Sequence, residues 1–507
     1  MLPIFSHAQV RSAEASLIAS GKANALTLME VAGARCAEWI LDREASGSFG
    51  TDPAYVVFAG MGNNGGDGAV IARHLHRAGR SVQFKLVHFR EKTSPELAAQ
   101  LVELSKCGVS VDHIYDLSND IQLIEDQVII DSILGTGVDR PVSDWLASLF
   151  SVLNGLGRPV IAIDLPSGMM EAGDALGPMV KASHTLTFEV ARPVLLLPET
   201  GAFAGQWELI PIGLGLREDL HTDRFGDLVE LLDIKKLLRP RSRFDHKGSN
   251  GHAILIAGGP GCHGAALLAA QGCARSGVGL LTVHASNETL EPIGSALPDA
   301  MTSLDPGGDQ VIQMPDLQKV KGVGFGHGLG SGDRTVKALK ELLSHWNGPL
   351  VIDADGLNAL AVERSLLGSL PPGTVLTPHP KEMDRLLSVS PSSSYDRLRH
   401  TRDLAARYRC IVVLKGAYSA ICSPDGGCYF NTTGNAGMAK GGSGDVLTGI
   451  IVGLLAQGYK PLKASIISTY LHGLSGDIAA GELGLDAMRA SDLVTYLPQA
   501  WKEVRGL

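Results

Sequence analysis

The sequence gives little to several functional classes. Formal net charge is -9 over 507 residues, so it has no basic excess of the kind a general nucleic-acid binder carries. No window is apolar and charge-free over the roughly 18 residues that a spanning helix needs. "VLTGIIVGLLAQGY" comes nearest, and it reads as a buried helix, so no membrane partner is expected. The opening "MLPIFSHAQVRSAEASLIAS" lacks a basic segment followed by an apolar core, so no secretory leader is expected. The 7 cysteines are odd in number and include no C-x-x-C, which fits reduced thiols in a cytoplasmic protein. "GCHG" sets Cys262 beside His263, but adjacent residues rarely ligate one metal together, and it reads as a glycine-rich loop. No G-x-x-x-x-G-K-[ST] occurs, which disfavours a P-loop nucleotidase. What remains is the composition of an ordinary soluble enzyme, 45% hydrophobic and 19% charged. The length favours at least two domains, since single cores stop growing near about 250–300 residues.

Short apolar runs alternate with helical patterns. "AYVVFAG", "SVQFKLV", "QVIIDSILG", "RPVIAIDLPSG" and "HTLTFEV" read as strands. Runs without alternation predict strands buried on both faces, in a mostly parallel sheet flanked by helices. The charged, turn-rich stretch after "GQWELIPIGL" marks a boundary near Leu220 to Arg239, giving domains 1–225 and 226–507. The rhythm then restarts with "HAILIAGG", "GLLTVHAS", "PLVIDADG" and "TVLTPHP", and "CIVVLKGAYSAICSPDGGCYFN" reads as a hairpin around "PDGG". The chain is therefore α/β throughout, in two domains. Ligands in such sheets gather at the carboxyl ends of the strands.

"AGMGNNGGDG" contains G-x-G-x-x-G at Gly60, Gly62 and Gly65. A dinucleotide fingerprint also needs an acid at the tip of the next strand, and "SVQFKLVHFRE" supplies none there. The glycines alone are equally well explained by close packing of strand and helix. Asn63, Asn64 and Asp67 shift the balance, because Asp67 would repel a pyrophosphate. Asp131, Asp164 and Ser167 stand at other strand ends, and amide, hydroxyl and carboxylate oxygens together suit a hard cation. "GTGVDRP" adds a second backbone-rich anion loop, with Arg140 available for phosphate.

"AGMGNNGGDGAVIARHL", "DSILGTGVDRP" and "AIDLPSGM" together resemble the NAD(P)H-hydrate epimerases over most of residues 1–215. The resemblance implies a Rossmann-like three-layer sandwich that interconverts the R and S hydrates of NADH and NADPH. It implies that Asn63, Asn64, Gly65, Gly66 and Asp67, with Gly135, Thr136, Gly137, Val138, Asp139, Arg140 and Pro141, hold the hydrate. It also implies a potassium ion near Asn64, Asp131 and Ser167, and substrate contact by Asp164. Asp164 is then the candidate acid/base, helping the 6-hydroxyl leave and return on the other face; the plainer reading makes it a cap for the turn "LPSG".

In "NTTGNAGMAKGGSGDVLTGIIVGLLAQG", Gly441, Gly442 and Gly444 lead into an apolar helix starting near Asp445. Bare backbone N–H groups at a helix start, around Gly441, Gly442, Ser443 and Gly444, form an anion hole. Asp445 at its mouth can take a proton from a hydroxyl attacking a phosphoryl group; the alternative is a helix cap. Asp353 and Asp355 stand at a strand end, His379 lies in a Pro-flanked loop where a lone histidine is more often structural, Lys415 precedes a glycine-containing turn, and "GFGHGLGSGD" is a further glycine loop. Jointly these read as a ribokinase-like small-molecule kinase domain.

"HKGSNGHAILIAGG", "LTPHPKEM", "LKGAYS" and "GNAGMAKGGSGDVLTGIIVGLLAQG" resemble the ADP-dependent NAD(P)H-hydrate dehydratases over roughly residues 240–500. There the terminal phosphate of ADP, bound with Mg2+, goes to the 6-hydroxyl of the S hydrate and then leaves as phosphate. The resemblance assigns Lys415, Gly416, Ala417, Tyr418, Ser419 and Gly444 to the adenine nucleotide. Ala265, Gly328, His379 and Asp445 go to the hydrate, with Asp445 as base. Lys440 departs from the family pattern, where a small hydroxylated residue is usual, and leaves open whether it adds a phosphate contact or points to solvent. A bifunctional repair enzyme, working as a homo-oligomer, is the leading expectation. A kinase for a vitamin-like alcohol and a non-enzymatic dinucleotide-sensing N-terminal module stay open as alternatives.

Overall fold

The computed structural model describes residues 1–21, 23–50, 52–117, 127–136, 142–171, 177–216, 224–307, 311 and 313–507. Leu2–Phe225 and Gly226–Leu507 form two compact units, with Met1 grouped with the second.

In the N-terminal unit a short strand β1 (Leu2–Ile4) precedes β2 (Ala54–Ala59), the run "AYVVFA". Tyr55, Val57 and Ala59 enter one apolar cluster while Val56 and Phe58 enter another. Both faces of the strand are covered, so no polar alternation is needed. β3 (Val82–Val87), β4 (Val111–Ile114), β5 (Gln127–Ser132), β6 (Val160–Ile163), β7 (His184–Phe188) and β8 (Gln206–Ile210) follow. They form a seven-stranded parallel sheet in the order β4-β3-β2-β5-β6-β7-β8. Residues of helices Ala25–Ala45, Asn63–Arg77 and Pro95–Lys106 fill one cluster, and those of Asp144–Gly155 fill the other. The result is a Rossmann-like three-layer sandwich. The strand order reverses at β2, between β3 and β5, which opens a crevice at their carboxyl ends.

The C-terminal unit is ribokinase-like. It contains β9 (Gly226–Val229), β10 (His252–Ile256), β11 (Leu280–Ala285), β12 (Met301–Leu304), β13 (Gly322–Phe325), β14 (Leu350–Ile352), β15 (Val375–Leu376), β16 (Ile411–Leu414), β17 (Ala420–Cys422) and β18 (Cys428–Asn431). Their order is β9-β18-β17-β16-β15-β14-β13-β10-β11-β12. Pairing is antiparallel on both sides of β17, whose turn to β18 is the expected hairpin, and parallel elsewhere. Helix Ser443–Ala456 is buried continuously from Val446 to Ala456. Gly449 lets helix His263–Arg275 lie against it: a Cβ there would stand 2.0 Å from the Ala269 carbonyl oxygen.

Part of the turn-rich boundary stretch is ordered structure. β9 and helix Leu231–Leu237 lie within it, with Leu228, Val229 and Ile234 buried. Their apolar residues are too few and too interleaved with charge to stand out in the sequence. Among the described residues, no helix is long and apolar enough to cross a membrane.

Candidate active sites

The first site occupies the crevice of the N-terminal unit. Asn63, Asn64, Asp67, Gly135, Thr136 and Asp164 line one cavity of about 840 Å³. Asn63 to Asp67 are not a free loop: Gly62 caps helix Asn63–Arg77, so these residues form its first turns. Two of the three glycines serve packing. A Cβ on Gly65 would lie 1.9 Å from the Gly60 carbonyl oxygen, and one on Gly60 would lie 1.8 Å from that of Ile133.

Asp164 follows β6 in left-handed backbone, φ 65°. Its Oδ2 accepts the Thr136 amide at 3.1 Å, and its Oδ1 lies 3.6 Å from Arg192 Nη2. Arg192 is itself buried, and burial pulls its pKa down against the charges of Asp164, Glu14 and Glu171. Burial, then the charges of Asp164 and Glu14, push the Asp67 carboxyl well above the usual carboxylate range. Both amide atoms of Asn64 are buried without a hydrogen-bond partner. Asp131 accepts from the Ser167 amide at 2.8 Å and from Ser167 Oγ at 2.5 Å. Burial raises Asp131 to about 6, against the pull of those bonds. An unsatisfied amide oxygen, a desolvated carboxyl and a hydroxyl are each donors of the kind that suits a hard cation. Gly65 and Gly66 sit in the helix wall; Gly137, Val138, Asp139, Arg140 and Pro141 lie outside the described residues. The reading from sequence missed Arg192, and also Arg11 and Glu14, which reach the cavity from helix His7–Ala19.

The second site lies at the carboxyl ends of strands in the C-terminal unit. Gly442, φ 96°, caps helix Ser443–Ala456, so Asp445 is its third residue and not its cap. His379, Lys415, Gly416, Ala417, Ser419 and Gly444 share one cavity of about 710 Å³, with Gly441 and Ser443 also in its wall. Ser419 Oγ accepts the Gly416 amide at 3.2 Å and closes the turn that carries Ala417 and Tyr418. Lys415 Nζ reaches Asp353 Oδ1 at 3.1 Å, and Thr448 Oγ1 donates to Asp353 Oδ2 at 2.9 Å. Burial opposes the charge on Asp353, but Lys415, His327 and these bonds outweigh it and hold the carboxyl below its ordinary range. A Cβ on Gly444 would stand 3.2 Å from Lys415 Nζ, which places the ammonium against the helix start. His379 caps helix Pro380–Leu387, its Nδ1 accepting the Glu382 amide at 3.3 Å.

Ala265, Gly328 and Asp445 are not in the wall of this cavity, and they are linked to one another through His327 and Cys262. Asp445 Oδ1 is 2.8 Å from His327 Nδ1. Gly328 packs on Cys262, where a Cβ would close to 2.6 Å, and the Ala265 amide donates to the Cys262 carbonyl. Lys440 is exposed in the wall of the same cavity, and its ammonium donates to the carbonyls of Asp486, at 2.7 Å, and Met488.

The chain is 35% identical to a bifunctional NAD(P)H-hydrate repair enzyme of Moorella thermoacetica, over 93% of this chain and 92% of that one. The chain belongs to the bifunctional NAD(P)H-hydrate repair enzymes. A repair enzyme of Coxiella burnetii is 36% identical, over 87% of this chain and 88% of its own. Family profiles divide the match: "YjeF-related protein N-terminus" covers residues 25–194, and "NAD(P)H-hydrate dehydratase" covers residues 253–499. A solved ADP/ATP-dependent NAD(P)H-hydrate dehydratase of Bacillus subtilis is 30% identical, covering 55% of this chain and 99% of that one, with TM-score 0.49. Repair enzymes of this family combine an epimerase and a dehydratase in one chain, and the cavities described above lie one in each unit.

Proposed function

We propose that the N-terminal cavity exchanges the R and S hydrates of NADH and NADPH, and that the C-terminal cavity dehydrates the S hydrate with ADP. One observation carries the reading: each site has a buried or half-buried aspartate beside a cationic or titratable partner, Asp164 in the wall of the first cavity with Arg192, and Asp445 next to Gly444 of the second cavity with His327.

At the first site Asp164 passes a proton to the leaving 6-hydroxyl. The C6–O bond breaks as the ring nitrogen donates its electron pair, and the carboxylate takes a proton from water returning to the other face. Asn64, Asp131 and Ser167 would hold a potassium ion, which supplies fixed positive charge to the site. The unpartnered amide of Asn64 and the desolvated carboxyl of Asp131 support that fit.

At the second site Asp445 accepts the proton of the 6-hydroxyl while its oxygen attacks the terminal phosphoryl group of ADP. The phosphoryl–oxygen bond to AMP breaks, and the glycine-led helix start and Lys415 steady the moving charge. Mg2+ arriving with ADP would neutralise further phosphate charge. Phosphate, a far better leaving group than hydroxide, then departs from C6 as a proton leaves C5, restoring the dihydronicotinamide. The test is to incubate mixed R and S hydrates with ADP and follow the absorbance of reduced nicotinamide. Complete conversion supports both activities. Loss of the S form alone overturns the epimerase assignment, and no conversion with any nucleotide overturns the dehydratase assignment.

A further inference from the structure

The glycine loop "GFGHGLGSGD" puts one unassigned side chain against the base of the second site. His327 follows β13 and is fully buried. Its carbonyl accepts the Gly258 amide at 2.6 Å, which ties its backbone to the loop after β10. Its Nδ1 lies 2.8 Å from Asp445 Oδ1, and an ionised carboxylate only accepts, so Nδ1 carries the hydrogen. Its Nε2 has no partner. The charged groups facing the ring come from three elements: Asp445 from helix Ser443–Ala456, Asp353 from the end of β14 and Lys415 from the end of β16. Burial and Lys415 act against a charge on the ring. The bond and charge of Asp445, with the charge of Asp353, outweigh them and raise the imidazole above its ordinary value.

We propose that His327 is a positioning residue of the dehydratase: its Nδ1–H pins Asp445 Oδ1 and leaves Oδ2 to receive the proton of the substrate hydroxyl. The proposal rests on the reading of Asp445 as the base. The Asp445 side chain keeps 17% of its surface exposed and stands in the first turn of its helix, so the helix alone does not confine it. A base displaced by about 1 Å can cost about 10²-fold in rate. The pin would hold it in place before substrate arrives. A buried imidazole with one free nitrogen is otherwise a costly choice for filling space, since an apolar ring would leave nothing unsatisfied.

Two variants separate positioning from space-filling. His327→Asn keeps an N–H near the Nδ1 position but cannot titrate, whereas His327→Phe keeps the bulk and removes the donor. Expected are a kcat for dehydration within about tenfold of wild type for His327→Asn and a loss of about 10²-fold for His327→Phe, with KM for ADP unchanged in both. As pH rises through the raised imidazole value, the charge-assisted bond becomes a neutral one. The wild-type kcat therefore steps down partway and levels off, and His327→Asn shows no such step. Melting curves with and without ADP check that each variant folds. If His327→Phe does not fold, His327→Gln replaces it, because its amide sits one bond further out and loses the register. Full kcat in the donorless variant, or an unchanged alkaline step in His327→Asn, overturns the proposal alone. A wild-type protein that converts the S hydrate with no nucleotide at all overturns the dehydratase reading and the proposal with it.

Discussion

Gly62 and Gly442 each cap a helix that opens onto a cavity, and neither cap is closed by a side-chain bond. Beyond the caps the two sites diverge. In the N-terminal unit, Asp67, Asp131 and Glu14 all have carboxyls raised chiefly by burial, and a single buried guanidinium, Arg192, stands near Asp164. In the C-terminal unit the carboxylates are paired in advance, Asp353 with Lys415 and Thr448, and Asp445 with His327. A carboxyl raised by burial gives up its proton less readily than a free one, which fits the proposed movement of a hydroxyl on and off one carbon. Carboxylates held by hydrogen bonds are fixed in place, which fits the proposed passage of a phosphoryl group between two oxygens. The same glycine-capped helix start is therefore set among desolvated carboxyls in one unit and hydrogen-bonded carboxylates in the other.

The largest expected effect separates the two outright. Asp445→Asn should lower dehydration by up to about 10⁴-fold and leave R/S exchange intact, because the paired carboxylates nearby are committed elsewhere. Asp164→Asn should do the reverse with a smaller loss, about 10²-fold, since Asp67 and Glu14 stand close enough to carry part of the proton traffic. Separate assays of exchange, by resolving the two hydrates, and of dehydration, by absorbance, check both. Parallel loss of both activities in either variant would erase the contrast.

Much of this layout was legible in the sequence, because unbroken apolar strands and glycine turns are local signals. "AYVVFA" showed its two-sided burial directly, and the glycines before Asp445 marked a helix start. Local pattern failed where partners are remote. His327 meets Asp445 across 118 positions, and nothing around a histidine in a glycine loop announces a carboxylate there. Arg192 looks like an ordinary strand-end arginine until the fold buries it against Asp164. β9 was hidden for a different reason: its few apolar residues are embedded in charge, and only packing selects them.

The glycines allow a finer comparison. At Gly65 an added methyl meets backbone, so Gly65→Ala should destabilise the N-terminal unit by about 1–3 kcal/mol and impair exchange. At Gly441 a Cβ meets nothing within 4 Å, so Gly441→Ala should change stability by no more than about 0.5 kcal/mol while raising KM for ADP, because the methyl enters the anion hole. Melting curves and nucleotide titrations read the two apart. Equal destabilisation would mean that the C-terminal turn is as tightly packed as the N-terminal one. For the cation, K+ at ten times its Kd should stabilise wild type by about 1.4 kcal/mol over Li+, and Asn64→Ala should lose that increment with dehydration untouched. An undiminished K+ response in Asn64→Ala would remove the amide from the cation site.

The smallest expected effect concerns Lys440. Its ammonium already donates to the carbonyls of Asp486 and Met488, so two of its three N–H donors are committed away from the nucleotide. Lys440→Met should therefore cost about 0.5–1.5 kcal/mol of stability, the worth of an ordinary hydrogen bond, and leave KM for ADP within about twofold. A rise in KM of about tenfold, or 1.4 kcal/mol of binding, would show that this lysine leaves its carbonyls when the nucleotide arrives. The C-terminal site would then recruit a cation on binding, and pairing in advance would describe only Asp353 and Asp445.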